Sequence, residues 1–295
     1  MAESNARFLT KIGRVEVYII PEITIPTSVR WLLPEASREM VESAKGWLQP
    51  HFMDENGYLL QSIHTYVLKT HERTILIDTG VGNGKARGGG IPAFNLLDTP
   101  FLKDLASIGV KPEQVDAVLC THIHTDHVGW NARLSNEVWT PTFTNARHVF
   151  GRVEYETFAS AASQGGANHQ LWKDSIEPVV EAGLVDLVPA DHQVTPEIRL
   201  EPSHGHTDGH VSIRIDSGRD SAVFTGDVMH SPLQIMLPRM RCALGGPERP
   251  AMQARIEVLD RYADSGTPVF GAHFADPCGG FIKRDGEGFR FEAID

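Results

Sequence analysis

The sequence predicts an α/β protein made of two similar βα halves. Two observations carry this. One order of elements occurs twice: a β-hairpin with an Asp-bearing corner, a loop, a helix, then a buried strand that delivers histidine. The composition is ordinary for a globular chain, with 41% hydrophobic and 22% charged residues, and its 27 Gly and 18 Pro imply many turns between short strands.

Residues 15–20 read as a first strand, and 26–60 as an irregular segment carrying Trp31, Leu32, Leu33, Trp47, Phe52 and Met53. Runs 62–69 and 74–78 form a hairpin across Thr70-His71-Glu72-Arg73. After Asp78-Thr79-Gly80 the stretch 81–91 is too rich in glycine for regular structure. A short helix follows near 100–108, then a buried strand, 115–120, which runs into a cluster of histidines. Segments 152–162 and 171–182 read as helices; in the second, Trp172, Ile176, Val179 and Val180 recur at helical spacing and Gly183 is the stop.

The second half begins with strands 211–215 and 222–224 joined across Ser217-Gly218-Arg219-Asp220 and ending at Thr225-Gly226-Asp227. A helix after Pro250 is expected to present Met252, Ile256, Leu259 and Ala263 on one face and to stop by Gly266. Strand 268–271 leads into His273, and 281–291 forms a hairpin around Asp285-Gly286. No linker-like stretch divides the chain, so 1–295 is read as one domain. Within it, 1–60 supplies a strand and a lid, a pocket wall or a dimer surface.

Composition excludes several classes. The formal charge of −11 opposes generic binding to nucleic acid or anionic membrane. No apolar run reaches the ~18 residues of a membrane span. The first 20 residues lack a secretory pattern, and three widely spaced cysteines (Cys120, Cys242, Cys278) fit free thiols, so a cytoplasmic location is expected.

The strongest motif is His122-x-His124-x-Asp126-His127, four ligand-type side chains directly after a buried strand. His122 and His124 can reach one centre from an extended segment, and Asp126 and His127, past the bend, a second. Imidazole with carboxylate and no thiolate suits zinc, iron, manganese or cobalt. Gly205-His206-Thr207-Asp208-Gly209-His210, the Gly226-Asp227 corner and the strand-ending His273 follow in order. Each is ordinary alone; their succession is not.

With these motifs in place the chain resembles metallo-β-lactamase-fold hydrolases over roughly residues 62–273. It is similar in particular to the methyl-parathion-hydrolase-like and lactonase branch, through Gly226-Asp227-Val228-Met229-His230 and Ala272-His273-Phe274. The resemblance implies an αββα sandwich with a metal site at the sheet edge. By it, two divalent cations (zinc by default, with iron, manganese or cobalt as alternatives) would be held by His122, His124 and His206 and by Asp126, His127 and His273. Asp227 would bridge them. Asp78 and His210 would support the ligands from behind, and His204 would be a bystander. A water bridging the cations would become hydroxide near neutral pH, so no Ser or Cys nucleophile is needed. Asp227 would return a proton to the leaving alkoxide, and His230 would be an extra donor there.

The resemblance thus implies a hydrolase of small, fairly apolar lactones or carboxylic esters. Phosphotriester hydrolysis is the alternative. A metal-binding sensor or scaffold, or a mononuclear-iron dioxygenase, is the alternative of another class, and the complete set of seven ligands counts against the sensor. The expected partner is a small-molecule substrate, with a homodimer as the expected assembly if the N-terminal apolar segment is not a lid. The pocket wall is expected from residues 31–52, the glycine-rich loop and 233–240.

Overall fold

Strand-forming runs separated by glycine turns build one large sheet in each of two units. In the computed structural model, which describes residues 4–88 and 90–294, the first unit comprises Met1–Glu22 with Ile63–His192. The second comprises Ile23–Ser62 with Gln193–Asp295.

In the first unit β1 (Arg7–Ile12) turns at Gly13 into β2 (Val15–Ser28), whose last residues continue into the second unit. β3 (Tyr58–Lys69), whose first residues belong to the second unit, pairs antiparallel with β4 (Thr74–Ile77), and β5 (Ala117–Leu119) lies parallel to β4. β6 (Ala132–Ser135) and β7 (Val138–Pro141) form a separate hairpin. β8 (Arg147–Gly151) and β9 (Val185–Val188) extend the sheet in parallel, giving the order β1-β2-β3-β4-β5-β8-β9. Parallel neighbours need a crossover. Between β4 and β5 it contains the helix Phe101–Ser107, whose Phe101 and Leu105 are buried with Val67, Leu76 and Val118.

The second unit repeats that plan. β10 (Ile198–Pro202), β11 (Val211–Ser217) and β12 (Asp220–Phe224) are antiparallel, and the two-residue β13 (Val269–Phe270) is parallel to β12. β14 (Gly279–Asp285) and β15 (Gly288–Ala293) close the sheet, the turn at Gly286 taking φ +57°. The crossover from β12 to β13 contains the helix Glu248–Tyr262, packed with Val223, Val228, Val269 and Phe274 in one core.

Several elements differ from the sequence reading. β1 was not anticipated, and β2 runs on to Ser28. The segment read as irregular contains the helix Arg38–Leu48, started by Ser37, whose side chain accepts from the Met40 N–H at 3.3 Å. The helix expected over 171–182 begins at Gly166 and passes through a π turn, Trp172–Ile176, before Glu177–Glu181. The last crossover helix is rolled from the predicted face. Ala251, Ala254, Arg255, Val258, Leu259 and Tyr262 are buried, while Met252 and Ile256 are only half-buried. The reason is Arg255. Its guanidinium lies inside and donates to the carbonyls of Val228, Pro238 and Met240, so a charged residue occupies the middle of the buried stripe.

Among the described residues the three cysteines form no disulfide, and all are buried. Among the described residues no helix is long and apolar enough to cross a membrane.

Candidate metal centre

In the first unit the predicted ligands sit just beyond β5. Asp78, immediately after β4, takes φ +53° and donates its N–H to the Leu119 carbonyl. Its carboxylate Oδ1 accepts the Thr121 N–H at 2.8 Å. Oδ2 accepts the Thr121 hydroxyl and the His127 Nδ1–H, both at 2.8 Å. A carboxylate can only accept, so His127 Nδ1 carries a proton and Nε2 is the nitrogen turned toward Asp126. The Thr121 hydroxyl spends its proton on Asp78 and so accepts from His122 Nδ1, 3.1 Å away. One buried aspartate thereby sets the tautomer of two histidines.

The ligand-type atoms then converge. His122 Nε2 lies 3.0 Å from His124 Nδ1, the His122 and His127 rings are 4.1 Å apart, and Asp126 Oδ1 is 3.7 Å from His127 Nε2. Backbone bonds lace this loop to the one after β4: Thr79 N–H to His127 O, Gly129 N–H to Gly80 O and Trp130 N–H to Thr79 O. Gly129 is required there, since a Cβ would fall 1.9 Å from the Val81 carbonyl oxygen. Glu154 holds the Ile123 N–H at 2.8 Å, and the Cys120 thiol donates to the His122 carbonyl. Burial, with Asp78 and Glu154 nearby, pushes that thiol well up, so Cys120 is an inert core thiol.

In the second unit the Asp227 carboxylate is ringed by three imidazoles. His273 Nε2 is 3.0 Å from Oδ1, while His230 Nε2 and His206 Nε2 are 3.2 and 3.4 Å from Oδ2. Donor atoms of Asp227, His230 and His273 all lie within 4.8 Å of one another. His273 Nδ1 faces the Ser62 carbonyl, 3.2 Å away, so the ring turns Nε2 toward Asp227. His210 is turned to another task. Its Nε2 accepts the Asp227 N–H at 3.0 Å and its Nδ1 meets the Ser203 hydroxyl at 2.8 Å, so it orients the Asp227 corner. His204 is exposed. Gly205 passes so near the crossover helix that a Cβ would meet the Pro250 carbonyl oxygen at 2.5 Å.

His230 is fully buried, with Nδ1 3.8 Å from the Cys242 sulfur and its ring nearly parallel to that of His273. Its backbone is clamped from both sides. The N–H donates to Gln234 Oε1 at 2.6 Å, and the carbonyl accepts from Gln61 Nε2 at 3.3 Å.

The donor chemistry fits divalent cations. Within each unit imidazole nitrogens and carboxylate oxygens converge, no thiolate stands among them, and the opposite nitrogens of His122, His127 and His273 are already committed. Thr121, Glu154, Ser203 and Arg255 support this arrangement and carry no sequence signal of their own.

Beside His124 and Asp126 the first unit carries a half-open cavity of about 430 Å³, lined by the glycine-rich loop and the helix Gly166–Leu171. The glycine-rich loop is thus a wall, as the sequence reading expected. Residues 31–52 and 233–240 do not line this cavity, and the helix was not foreseen as a wall.

Comparison with known proteins follows the same lines. The model of the metallo-beta-lactamase superfamily matches residues 60–268. An N-acyl homoserine lactonase of Bacillus cereus is 28% identical over 169 residues; the match spans 54% of this chain and 60% of the length of that relative. Among solved structures, AidC, a dizinc quorum-quenching lactonase in complex with a product, superposes with a TM-score of 0.79 at 21% identity. That alignment covers 99% of this chain and 98% of AidC. The hydrolase AbOPH of the beta lactamase superfamily gives a TM-score of 0.80 at 21% identity, over 98% of this chain and 97% of its own. Both are likenesses of fold.

Proposed function

Because this chain belongs to the metallo-beta-lactamase superfamily, we propose that it is a dinuclear metal-dependent hydrolase of small, fairly apolar lactones or carboxylic esters. The observation that carries the reading is the Asp227 carboxylate with three imidazoles at 3.0 to 3.4 Å. The lactonase relatives support the choice of a cyclic or linear ester.

His122, His124 and His206 would hold one cation and Asp126, His127 and His273 the other, with Asp227 shared. When bound, the pair would supply hydroxide at neutral pH and a Lewis acid for the scissile carbonyl. The remaining work falls to the chain. Asp78, directly and through Thr121, keeps Nε2 of His127 and His122 as the ligating nitrogens. His210 and Ser203 hold the Asp227 backbone, so that its carboxylate keeps its direction. His230 Nε2, 3.2 Å from Asp227 Oδ2, is placed to hold a proton with that carboxylate and pass it to the leaving alkoxide oxygen.

The test is elemental analysis of the purified protein, with the same sample assayed on a γ- or δ-lactone, an aryl ester and a phosphotriester. Two metals per chain and chelator-sensitive turnover, fastest on the lactone or ester, is the expected result. A phosphotriester preferred over both would move the activity to phosphorus. One iron per chain, or two metals with no turnover on any of the three, would overturn the reading.

A further inference from the structure

A carboxylate outside the ligand set grips the loops on both sides of His127. Glu22, near the middle of β2, directs its side chain at the turn that follows Asp78-Thr79-Gly80. Oε2 accepts the Val81 N–H at 2.6 Å, and Oε1 accepts the Gly82 N–H at 3.1 Å. Oε1 also accepts the Trp130 indole N–H at 2.7 Å. Two successive backbone N–H groups turned to one side form a concavity that suits an anion. Gly80 and Gly82 shape it with φ of +56° and +80°, and a Cβ on Gly80 would collide with the carboxylate.

Trp130 is held at both ends. Its backbone N–H donates to the Thr79 carbonyl at 2.8 Å, its indole N–H donates to Glu22, and its ring stacks on Phe101 with centroids 4.8 Å apart. Thr79 in turn donates its N–H to the His127 carbonyl, and Gly129 donates to the Gly80 carbonyl, both at 2.7 Å. These bonds run beside the 2.8 Å contact between Asp78 and His127. Desolvation pushes the Glu22 carboxyl up, and its hydrogen bonds offset only part of that cost. Such a carboxylate adds little stability of its own; what it supplies is the arrangement of the two loops.

We propose that Glu22 is a positioning residue of the metal centre: its carboxylate fills the anion nest of Val81 and Gly82 and, through Trp130, holds the His127 loop against Asp78. The proposal rests on the metal-dependent reading above, and one of its readouts needs no metal.

The test removes the carboxylate and offers it back. Glu22→Ala in the full chain is compared with the unaltered protein, each without additive, with millimolar acetate and with acetamide, the neutral isostere. Chelator competition with zinc or cobalt reads metal affinity. Proton NMR of the metal-free protein reads exchange of the His127 Nδ1–H, and thermal unfolding reads overall stability. Metal affinity should fall about tenfold in Glu22→Ala, and the His127 Nδ1–H should exchange faster. Acetate should reverse both changes. Acetamide, which brings a donor where three N–H groups need acceptors, should reverse neither. Trp130→Phe keeps an aromatic ring and removes the indole N–H. It should shift both readouts in the same direction, and decides the matter if Glu22→Ala does not fold.

A lower melting temperature with affinity and exchange unchanged would make Glu22 merely structural and overturn its positioning role. Changes that acetate and acetamide mend equally, or that acetate leaves unmended, would overturn the anion nest. If the unaltered protein binds no divalent cation, the metal-dependent reading falls, and exchange at His127 still decides. Exchange that is faster in Glu22→Ala and slowed again by acetate supports the proposal; unchanged exchange overturns it.

Discussion

Asp78→Asn is the sharpest perturbation the structure offers. The aspartate accepts three hydrogen bonds at 2.8 Å, from Thr121 N–H, the Thr121 hydroxyl and His127 Nδ1–H. Asparagine tolerates the φ of +53° about as well as aspartate, so the backbone is not strained as it would be by alanine. The amide oxygen can keep the Thr121 N–H. The amide NH2 then faces His127 Nδ1, and two donors cannot share that position. The hydroxyl can rotate and become an acceptor, but the imidazole can yield only by moving its proton to Nε2, the nitrogen proposed to ligate. Loss of such a supporting partner costs about 10- to 100-fold in metal affinity, or about 1.4 to 2.7 kcal/mol. Replacing charge-assisted bonds by neutral ones costs about 1 to 2 kcal/mol of folding stability besides. Competition with a chelator, using cobalt or zinc, measures the first, and nitrogen NMR of the histidine rings reads the tautomer directly. Unchanged affinity with His127 still protonated on Nδ1 would refute the account.

Asp227→Ala should lower metal content towards one per chain and abolish hydrolysis, read by elemental analysis and assay together. His204→Ala, at an exposed position, should leave metal content and turnover unchanged. His230→Phe should retain both metals while lowering kcat; an unchanged kcat would remove His230 from proton transfer. Burial pushes the Lys85 ammonium down to about 7, against the pull of Asp174. From the unfolded value of about 10.4 down to 7 the unfolded chain takes a proton that the folded one refuses. Stability therefore falls as pH drops through that window and levels off below it. Lys85→Met should lose this slope and gain at most about 4 kcal/mol at pH 7, checked by denaturant unfolding at pH 7 and pH 10.

Much of this was legible because the informative signals are local. A buried strand followed at once by histidines, or a glycine turn between alternating runs, needs no knowledge of distant residues, and both hairpins of the repeated plan fell where expected. The misses have particular causes. The helix Arg38–Leu48 carries Met40, Val41, Ala44, Trp47 and Leu48 at helical spacing behind a serine cap, but it is short and stands between Pro34 and Pro50, residues that otherwise mark turns. The last crossover helix was rolled wrongly because Arg255 reads as a surface charge until its three carbonyl partners, 15 to 27 residues away, are seen. The cavity wall from Gly166–Leu171 depends on a π turn and an Arg87–Asp174 contact 87 residues apart, and neither leaves a mark on hydrophobic periodicity.

The two aspartates at the strand corners show where such motif reading stops and geometry takes over. Asp78-Thr79-Gly80 follows β4, and Thr225-Gly226-Asp227 follows β12, so the repeat places a carboxylate at matching corners of the two units. In each unit the next parallel strand ends three residues before a histidine, His122 after Leu119 and His273 after Phe270. Their environments nevertheless assign opposite tasks. Asp78 comes one residue after its strand and spends both oxygens on donors behind the histidines, a threonine and the Nδ1 face of His127. Asp227 comes three residues after its strand, has its backbone N–H taken by His210, and turns both oxygens toward imidazole Nε2 atoms. The Asp78 carboxylate fixes histidine tautomers from behind; the Asp227 carboxylate, with three imidazole Nε2 atoms at 3.0 to 3.4 Å, stands among the atoms proposed to hold the cations. Two residues of displacement along the chain therefore separate the aspartate proposed to support the metal site from the one proposed to belong to it.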